Sequence, residues 1–225
     1  MDRRTFLTCA AGTAVALCAA GAGTPARPLF EWSRPGGFFA PGRGVLQPPP
    51  LVVYDDGTAY ADAAASLRLP AADVRDLRRE AVRALATAVD TSRPDQPFDL
   101  VRVRAGAGHL SARLGAGPVL AHPSAVQSLW SRVQSLRARA LRGEIWRPPA
   151  VLLATVRLDF TPAESTPWPL PAPPDLLYGE QLLRGEAARA VQRLVPPARE
   201  PEWPRYRVGP GAYIAATWRY LLPHE

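Results

Sequence analysis

The most conspicuous candidate for acid–base chemistry in this chain is a pair of adjacent carboxylates. Asp55 and Asp56 stand in the stretch LVVYDDGTAY at residues 51–60. Neighbouring side chains on a strand point to opposite faces, whereas paired catalytic carboxylates must face one substrate. Asp56-Gly57 is also a strong two-residue turn signal, because glycine accepts a positive φ angle at little cost. We therefore predict a β-hairpin turn here rather than an acidic site, and we expect Asp55 to tolerate substitution.

The three histidines show none of the spacings that hold a metal ion. His109, His122 and His224 are far apart and form neither an H-x-x-x-H nor an H-E-x-x-H pattern. A zinc site needs three or four converging ligands, and both cysteines, Cys9 and Cys18, lie near the N-terminus. We therefore expect no metal site and no cofactor, and we expect His122 to lie at the cap of a predicted helix.

Ser111 is the candidate nucleophile, within the glycine-rich stretch GAGHLSARLGAG at residues 106–117. The stretch contains no G-x-S-x-G pattern, and Ser111 stands where a G-x-G-x-x-G pattern needs its third glycine. The pattern favours a flexible hairpin, and we predict no catalytic residues. The enzymatic alternative is a hydrolase in which Asp56 or Asp99 acts together with a histidine such as His109.

The clearest functional signal lies at the N-terminus, in the stretch MDRRTFLTCAAGTAVALCAAGAG. Its R-R-x-F-L pattern is formed by Arg3, Arg4, Phe6 and Leu7. An Ala-rich, weakly apolar run then extends to Ala22, and it is shorter than the roughly 20 strongly apolar residues of a membrane span. Residues 1–22 are therefore predicted to be a twin-arginine-type export signal that precedes the folded domain.

Two processing routes remain open for this signal. The small residues Ala20-Gly21-Ala22 suit ordinary cleavage, which would leave Gly23 as the first mature residue. Cys18 offers lipidation instead, although the bulky Leu17 before it fits the usual small-residue requirement poorly. Either route leaves the folded domain without a disulfide, and a membrane contact is expected only through the signal or the lipid.

The charge of the chain is basic but dispersed. The net charge is +7 over 225 residues, and the sequence contains no lysine and no asparagine, which indicates a GC-rich genome. The arginines alternate with Asp and Glu instead of forming one basic run, so a solvated surface is the favoured interpretation and no nucleic-acid partner is expected. The alternative is an arginine-rich surface that binds anionic envelope polymers.

The organisation beyond the signal is predicted from proline content and periodicity. Residues 23–50 hold seven prolines among several aromatic residues, which predicts a tether and then an N-terminal arm. A single domain is predicted for residues 51–225, with a Pro-rich excursion at 161–175.

Within that domain the pattern alternates between hairpins and helices. Helices are predicted at about 70–89, 123–142 and 179–194. Hairpins are predicted at 51–63, around Gly106, and around Gly209 to Gly211, with a buried strand at 150–156. This order predicts an α+β fold, in which about three helices pack on a mostly antiparallel sheet built from hairpins.

Three motifs resemble those of a family of exported or lipid-anchored proteins of high-GC Gram-positive bacteria. They are GGFFAP at residues 36–41, LVVYDDGTAY at 51–60 and WPRYRVGPGAYIAATWRYLLPHE at the C-terminus, and PWPL at 167–170 also fits. The family pattern combines a Y-x-D-G hairpin with an R-x-L-L-P-[DH]-E tail. Here Asp55 stands where glycine is common, and His224 replaces the tail aspartate. The resemblance implies export, but it carries over no activity and no catalytic residue.

The sequence taken as a whole predicts a secreted or cell-envelope protein that acts by binding rather than by catalysis. The export signal and the missing catalytic patterns carry this prediction. Its partner is not identified by the sequence, although envelope components are the natural candidates. The hydrolase and the polymer-binding surface remain the alternatives.

Overall fold

The structure is a computed structural model, which describes residues 27–36, 43–115, 122–171, 177–197 and 203–225. These residues form twelve strands and four helices, and nearly all strand pairs are antiparallel. The α+β class predicted from the sequence is therefore confirmed. The export-signal residues Arg3, Arg4, Phe6, Leu7 and Cys18 lie outside the described part of the chain, so their roles stay predictions.

A seven-stranded antiparallel sheet, the large sheet, is built mainly from the first half of the chain. Its strands in spatial order are β6 (Gly108–Leu114), β5 (Asp99–Ala105), β1 (Pro28–Ser33), β2 (Leu51–Tyr54), β3 (Thr58–Ala61), β4 (Ala65–Arg68) and β7 (Glu144–Ile145). Strand β5 alternates as predicted, with Val101 and Val103 buried and Arg102 exposed. Strand β2 is buried at every position because both of its faces are covered.

Two helices, α2 (Ala71–Leu85) and α3 (Ser124–Ala140), cover one face of the large sheet. Helix α2 begins directly after Pro70 and carries Asp73 in its first turn, where a negative charge suits the helix dipole. The buried side chains of these helices recur every three or four residues and pack against sheet residues such as Val53 and Val103. Both predicted helices are confirmed, with slightly later starts and earlier ends.

A second sheet of five strands, the small sheet, is built mainly from the second half of the chain. Its strands in spatial order are β10 (Tyr178–Arg184), β8 (Ala150–Leu158), β12 (Ala212–Tyr220), β11 (Arg205–Gly209) and β9 (Thr166–Pro167). Only the short β9–β11 pair among these strands is parallel. Helix α4 (Gly185–Leu194) packs on one face, where Ala188 and Val191 meet Val151 and Trp218. The strands thus divide between two sheets instead of forming the one sheet that the sequence suggested.

A short helix, α1 (Arg43–Leu46), follows β1 in the chain.

The interpretation of residues 28–33 as part of an N-terminal arm is wrong. They form β1, which lies between β5 and β2 inside the large sheet. Phe30 and Trp32 are almost completely buried there, and Trp32 packs edge-to-face on Trp130 of α3. The flanking prolines hid this strand in the sequence, because β1 is only six residues long and its hydrogen-bonding partners are distant in the chain.

The predicted helix at 179–194 is wrong in its first third. Residues 178–184 form β10, which pairs with β8 over seven consecutive positions, and the helix begins at Gly185. Gly185 has a φ angle of +58°, which breaks the chain direction between strand and helix. The stretch YGEQLLR has no decisive period, so pairing with the neighbouring strand outweighed its local helical preference.

The Asp55-Asp56 hairpin is confirmed, with its turn one residue earlier than predicted. The N–H of Gly57 donates to the carbonyl of Tyr54 over 3.0 Å, so Asp55 and Asp56 are the central turn residues. Gly57 follows with a φ angle of +89°, which matches a three-residue loop that ends in a left-handed glycine. The Asp56 carboxylate accepts hydrogen bonds from the Thr58 N–H at 2.9 Å, the Thr58 hydroxyl and Arg68.

Gly57→Ala should destabilise the fold by about 2 kcal/mol or more, because a side chain is strained at this φ angle. A Cβ at this position would also lie 2.6 Å from the carbonyl oxygen of Leu69. The control is Gly211→Ala, whose φ angle of +64° is similar but whose Cβ would meet no atom within 4 Å. We expect the control to lose only about 1 kcal/mol. Urea denaturation measures both values, and equal losses would contradict the steric argument.

Candidate functional site

The last five residues, Leu221–Glu225, which we call the tail, lie between the two sheets. Leu221 packs with Ala150 and Leu152 of the small sheet, on the face opposite α4. Leu222 packs with Val52 and the tyrosines of the large sheet, on the face opposite α2 and α3. Each of these leucines is only 2% exposed. Two consecutive side chains therefore join two separate cores.

A bidentate ion pair holds the tail in place. The Arg219 guanidinium donates to both carboxylate oxygens of Glu225, at 2.8 and 2.7 Å. Its Nε atom donates to the carbonyl of Val45 at 2.8 Å, and Glu225 also accepts the N–H of Leu222 at 2.9 Å. The Arg219 and Glu225 side chains are only 14% and 22% exposed. The fork-to-fork geometry of arginine and carboxylate makes this pair stronger than an ordinary surface ion pair.

The ionisation of Glu225 reflects these contacts. Burial on its own would raise the pKa of Glu225, but the hydrogen bonds from Arg219 and from the Leu222 N–H lower the pKa by more. The pKa of Glu225 therefore lies below the ordinary value for a glutamate. The carboxylate stays charged at neutral pH, and the ion pair stays formed.

His224 of the tail is oriented by Tyr54 of β2. The Tyr54 hydroxyl and the Nδ1 atom of His224 lie 2.6 Å apart. Burial, together with the nearby Tyr60, raises the pKa of Tyr54 well above its ordinary value, so the phenol keeps its proton and is able to donate a hydrogen bond to Nδ1. With Nδ1 engaged by Tyr54, Nε2 is the ring nitrogen of His224 that is left for a ligand.

A cleft of about 280 Å³, which we call the tail cleft, lies between His224 and strands β1, β5 and β6 of the large sheet. It is lined by Pro28, Leu29, Phe30, Glu31, Arg102, His109, Ser111 and His224. Its lining therefore combines an apolar floor with an acid, a guanidinium, two imidazoles and a hydroxyl. Three further cavities within the described ranges have no histidine in their lining.

Strand register explains why these polar side chains converge. Glu31 of β1 is paired with Arg102 of β5, and Arg102 is paired with Ser111 of β6. Directly paired residues project from the same face, so the three side chains form one row across three strands. His109 lies two residues before Ser111 and shares its face. The row ends at the tail, where His224 closes the cleft.

The polar groups of the cleft are only loosely bound to one another. The closest approach of Arg102 to Glu31 is 4.0 Å, which is too long for a hydrogen bond. His109 and Ser111 make no side-chain hydrogen bond to any other residue that the structure describes. These donors and acceptors are therefore available to a ligand.

The predicted Asp–His pairs of the hydrolase hypothesis do not form. Asp99 accepts hydrogen bonds from Trp32 and Arg34, each at 2.7 Å. Asp99 lies opposite Leu114 in the β5–β6 ladder, whereas His109 lies opposite Arg104. The five-residue separation along β5 corresponds to roughly 16 Å. That distance excludes proton transfer between them.

Asp56 is equally unsuited to act with His109, because Thr58 and Arg68 already bind its carboxylate. Its neighbour Asp55 forms an ion pair with Arg104 on the rim of the large sheet. Asp55 is mostly exposed, and such a pair contributes only about 0.2–1 kcal/mol. The tolerance of Asp55 to substitution stays a prediction.

His122 is buried just before α3, outside the tail cleft. Its Nε2 atom lies 3.3 Å from the Thr91 hydroxyl, and its carbonyl accepts a hydrogen bond from Gln127 in the first turn of the helix. The position next to the helix start is the one that the sequence indicated. The role of His122 is therefore structural, at the junction of α3 with the chain before it.

Two of the cleft residues were not singled out by the sequence. Glu31 was assigned to the arm, and Arg102 was one arginine of an alternating strand. The only signal that could have found them is the pairing of β1 with β5, which joins residues about 70 positions apart. His109 and Ser111 were singled out individually, but not as neighbours of His224.

The described ranges contain no group of three or more His, Cys, Asp or Glu side chains arranged to hold a metal ion. None of the described helices has both the length and the apolar character needed to cross a membrane.

Comparisons with known proteins give no relative for this chain. No protein-family profile, no curated protein and no solved structure matches it. The resemblance to exported proteins of high-GC Gram-positive bacteria therefore stays a prediction from its motifs.

Glu225→Gln should lower the stability at pH 7 by about 2 kcal/mol, because it breaks the charged fork with Arg219. Since the pKa of Glu225 is lowered in the folded state, its contribution is full above the unfolded pKa and disappears as the pH falls through the folded pKa. The difference between variant and wild type should therefore shrink below about pH 4. Denaturation between pH 3 and 7 measures it.

The matched control is Glu164→Gln, which removes the same charge from an exposed position. Arg219→Lys tests the bidentate geometry, because lysine keeps the positive charge but cannot donate to both carboxylate oxygens of Glu225 in the same way. The free energy of unfolding of Arg219→Lys should lie between those of the wild type and Glu225→Gln. A stability difference for Glu225→Gln that stays constant from pH 7 to pH 3 would contradict the assignment.

Proposed function

We propose that this protein is exported and acts as a binding protein of the cell envelope or its exterior, which holds an anionic group of its ligand in the tail cleft. The observation that carries the proposal is the position of Arg102. Its guanidinium faces the cleft beside His109 and His224, and its nearest carboxylate is 4.0 Å away. A guanidinium with unused donors is well suited to a carboxylate or phosphate group.

The other residues of the cleft complement Arg102. Ser111 and the two histidines add hydrogen-bond donors around the same space, and Glu31 limits the net charge of the site. The volume of about 280 Å³ is at the lower end of the range for small-molecule sites. The cleft therefore suits a small acid, or a single acidic group at the end of a larger molecule.

The same geometry argues against a hydrolase. A serine nucleophile needs a base within hydrogen-bond reach and a third group to orient that base. Ser111 has no hydrogen bond to His109 within the described structure, and Glu31 is two strands away from Ser111, roughly 10 Å across the sheet. Binding without chemistry is the function that this arrangement supports.

The alternative of a broad arginine-rich surface for anionic polymers has less support. Several arginines outside the cleft are already engaged by carboxylates of the same chain. These pairs are Arg34–Asp99, Arg68–Asp56, Arg104–Asp55, Arg132–Glu80, Arg137–Asp62 and Arg219–Glu225. The tail cleft gathers Arg102, Ser111 and two histidines in one concave space, which favours a local site over an extended basic surface.

Binding can be tested with inorganic phosphate and succinate as probes, followed by NMR of the His109 and His224 ring protons. Both probes should shift these signals, and added salt should weaken the effect. Arg102→Gln should weaken binding about tenfold or more, because a charge-assisted hydrogen bond contributes roughly 1.5–3 kcal/mol. The control Arg75→Gln removes the same charge from an exposed position on α2. An unchanged spectrum, or equal weakening in both variants, would contradict the site.

Export can be tested separately, because it depends on the N-terminal pattern and not on the cleft. Replacing Arg3 and Arg4 with lysine should leave the precursor in the cytoplasm, since the twin-arginine route requires both arginines. The control is Arg27→Lys, which lies outside the predicted signal. Cell fractionation and mass spectrometry measure the outcome. A mature start at Gly23 indicates simple cleavage, a modified Cys18 indicates a lipid anchor, and unaffected export of the double variant would contradict the signal.

A further inference from the structure

The outer edge of the small sheet is open along a complete strand. Strand β10 (Tyr178–Arg184) pairs with β8 on one side and ends the strand order on the other. Within the part of the chain that the structure describes, no strand pairs with its outer edge. An edge of this kind presents unused backbone donors and acceptors in a row.

The direction of these backbone groups follows from the contacts at both ends of β10. The N–H of Gly185 donates to the carbonyl of Pro149 at 2.9 Å, and the carbonyl of Leu177 accepts the N–H of Arg157 at 3.1 Å. Odd-numbered positions therefore point their backbone groups towards β8. The groups that point outward belong to the even-numbered residues Tyr178, Glu180, Leu182 and Arg184.

Strand β10 lacks several of the features that protect a sheet edge, although it carries the charged residues Glu180 and Arg184. It contains no proline, and its register with β8 runs without a bulge over seven residues. Leu182 is 60% exposed in the middle of the strand. Its cross-strand partner Leu152 is buried, so Leu182 extends an apolar row to the edge of the sheet. An uncovered apolar residue on a regular edge strand marks a pairing surface.

We propose that β10 pairs antiparallel with β10 of a second copy of this chain, about a twofold axis at Leu182. In this register Leu182 lies opposite Leu182 of the second copy. Glu180 lies opposite Arg184 of the second copy, and the symmetry repeats this pair on the other side. The outward backbone groups of these three residues all fall in hydrogen-bonded pairs, so the register satisfies them together.

The charge pattern is the reason for choosing a second copy as the occupant. The segment Glu180-x-Leu182-x-Arg184 has opposite charges at equal distances from its centre. It is therefore complementary to itself in the antiparallel direction, and opposite charges in cross-strand pairs are stabilising. A partner of unrelated sequence would have to reproduce the same pattern.

The present contacts of the two charged residues leave room for this pairing. Glu180 accepts a hydrogen bond from the Tyr178 hydroxyl on one oxygen, at 2.6 Å. Arg184 donates from one nitrogen to the main-chain oxygen of Glu225, at 3.0 Å. The second oxygen of Glu180 and the remaining donors of Arg184 are available. No residue of β10 lines the tail cleft, so the proposal does not rest on the proposed function.

The first test is sedimentation equilibrium of the full-length chain over a range of concentrations. The wild type should show a monomer–dimer equilibrium, and Leu182→Lys should raise the dissociation constant at least about tenfold, since it replaces the central apolar contact with two facing charges. The control Leu177→Lys changes a leucine that is 82% exposed but lies outside β10, and it should leave the equilibrium unchanged.

The second test uses charge reversal at the two ends of the segment. Glu180→Arg and Arg184→Glu should each be monomeric, because like charges then face each other on both sides of the axis. An equimolar mixture of the two variants should form a heterodimer, since every pair again joins opposite charges. Circular dichroism confirms that each variant is folded.

Either of two results would overturn the proposal. One is a wild-type chain that stays monomeric at all concentrations, which leaves the edge to a partner of different sequence. The other is a dimer that survives Leu182→Lys or that the mixed charge variants fail to restore. Hydrogen exchange gives a direct readout, because the amides of Glu180, Leu182 and Arg184 should be protected only in the dimer.

Discussion

The bidentate contact between Arg219 and Glu225 is the interaction on which the arrangement of this protein depends. It fixes the tail between two sheets that otherwise have separate cores, each with its own helices. A chain end is normally free to fray, because it gains little by being ordered. Here the fork restrains the end of the chain, and the apolar contacts of Leu221 and Leu222 stabilise its position. The ion pair alone would not hold the tail in place, because burying its two charges costs desolvation free energy and ordering its side chains costs entropy.

The candidate site depends on the same restraint. His224 reaches the tail cleft only because the residues on both sides of it are held, by Leu222 on one side and by the Glu225 carboxylate on the other. Tyr54 then sets the orientation of the imidazole. The rest of the cleft belongs to the large sheet, where hydrogen-bonded strands keep Glu31, Arg102 and Ser111 at fixed spacing. A ligand would therefore meet a preorganised row of side chains and one residue of the tail. Preorganisation of this kind reduces the entropy lost on binding.

The two surfaces proposed for interaction lie on different sheets and use different physical properties. The tail cleft offers charge and hydrogen-bond donors in a concave space, which suits a small anionic group. The β10 edge offers a regular backbone with a self-complementary side-chain pattern, which suits another strand. Arg184 of β10 also donates a hydrogen bond to the main-chain oxygen of Glu225. The same residue therefore takes part both in the proposed strand pairing and in holding the tail.

Local pattern was enough to predict the elements whose stability is mostly local. Helices α2 and α3 follow from their apolar period, and the hairpins follow from glycine and aspartate at the turns. The prediction of a hairpin at Asp55 and Asp56 was confirmed because turn conformation depends on residues that are adjacent in the chain. The prediction was wrong for β1 and β10, whose partners are distant in sequence. A short strand gains its stability from the neighbours that cover it, and these are not visible in its own residues.

The sequence by itself determined the α+β class, most turns, the predicted export signal and the absence of familiar catalytic spacings. Only the tertiary structure decided which polar residues meet. Glu31, Arg102, Ser111 and His224 are separated by between 9 and 193 positions in the chain and converge through strand register and the placement of the tail. Register depends on the burial of whole sheet faces, and the tail position depends on the Arg219–Glu225 ion pair and on contacts with both sheets. These are collective, long-range constraints, so no short motif could have revealed the cleft.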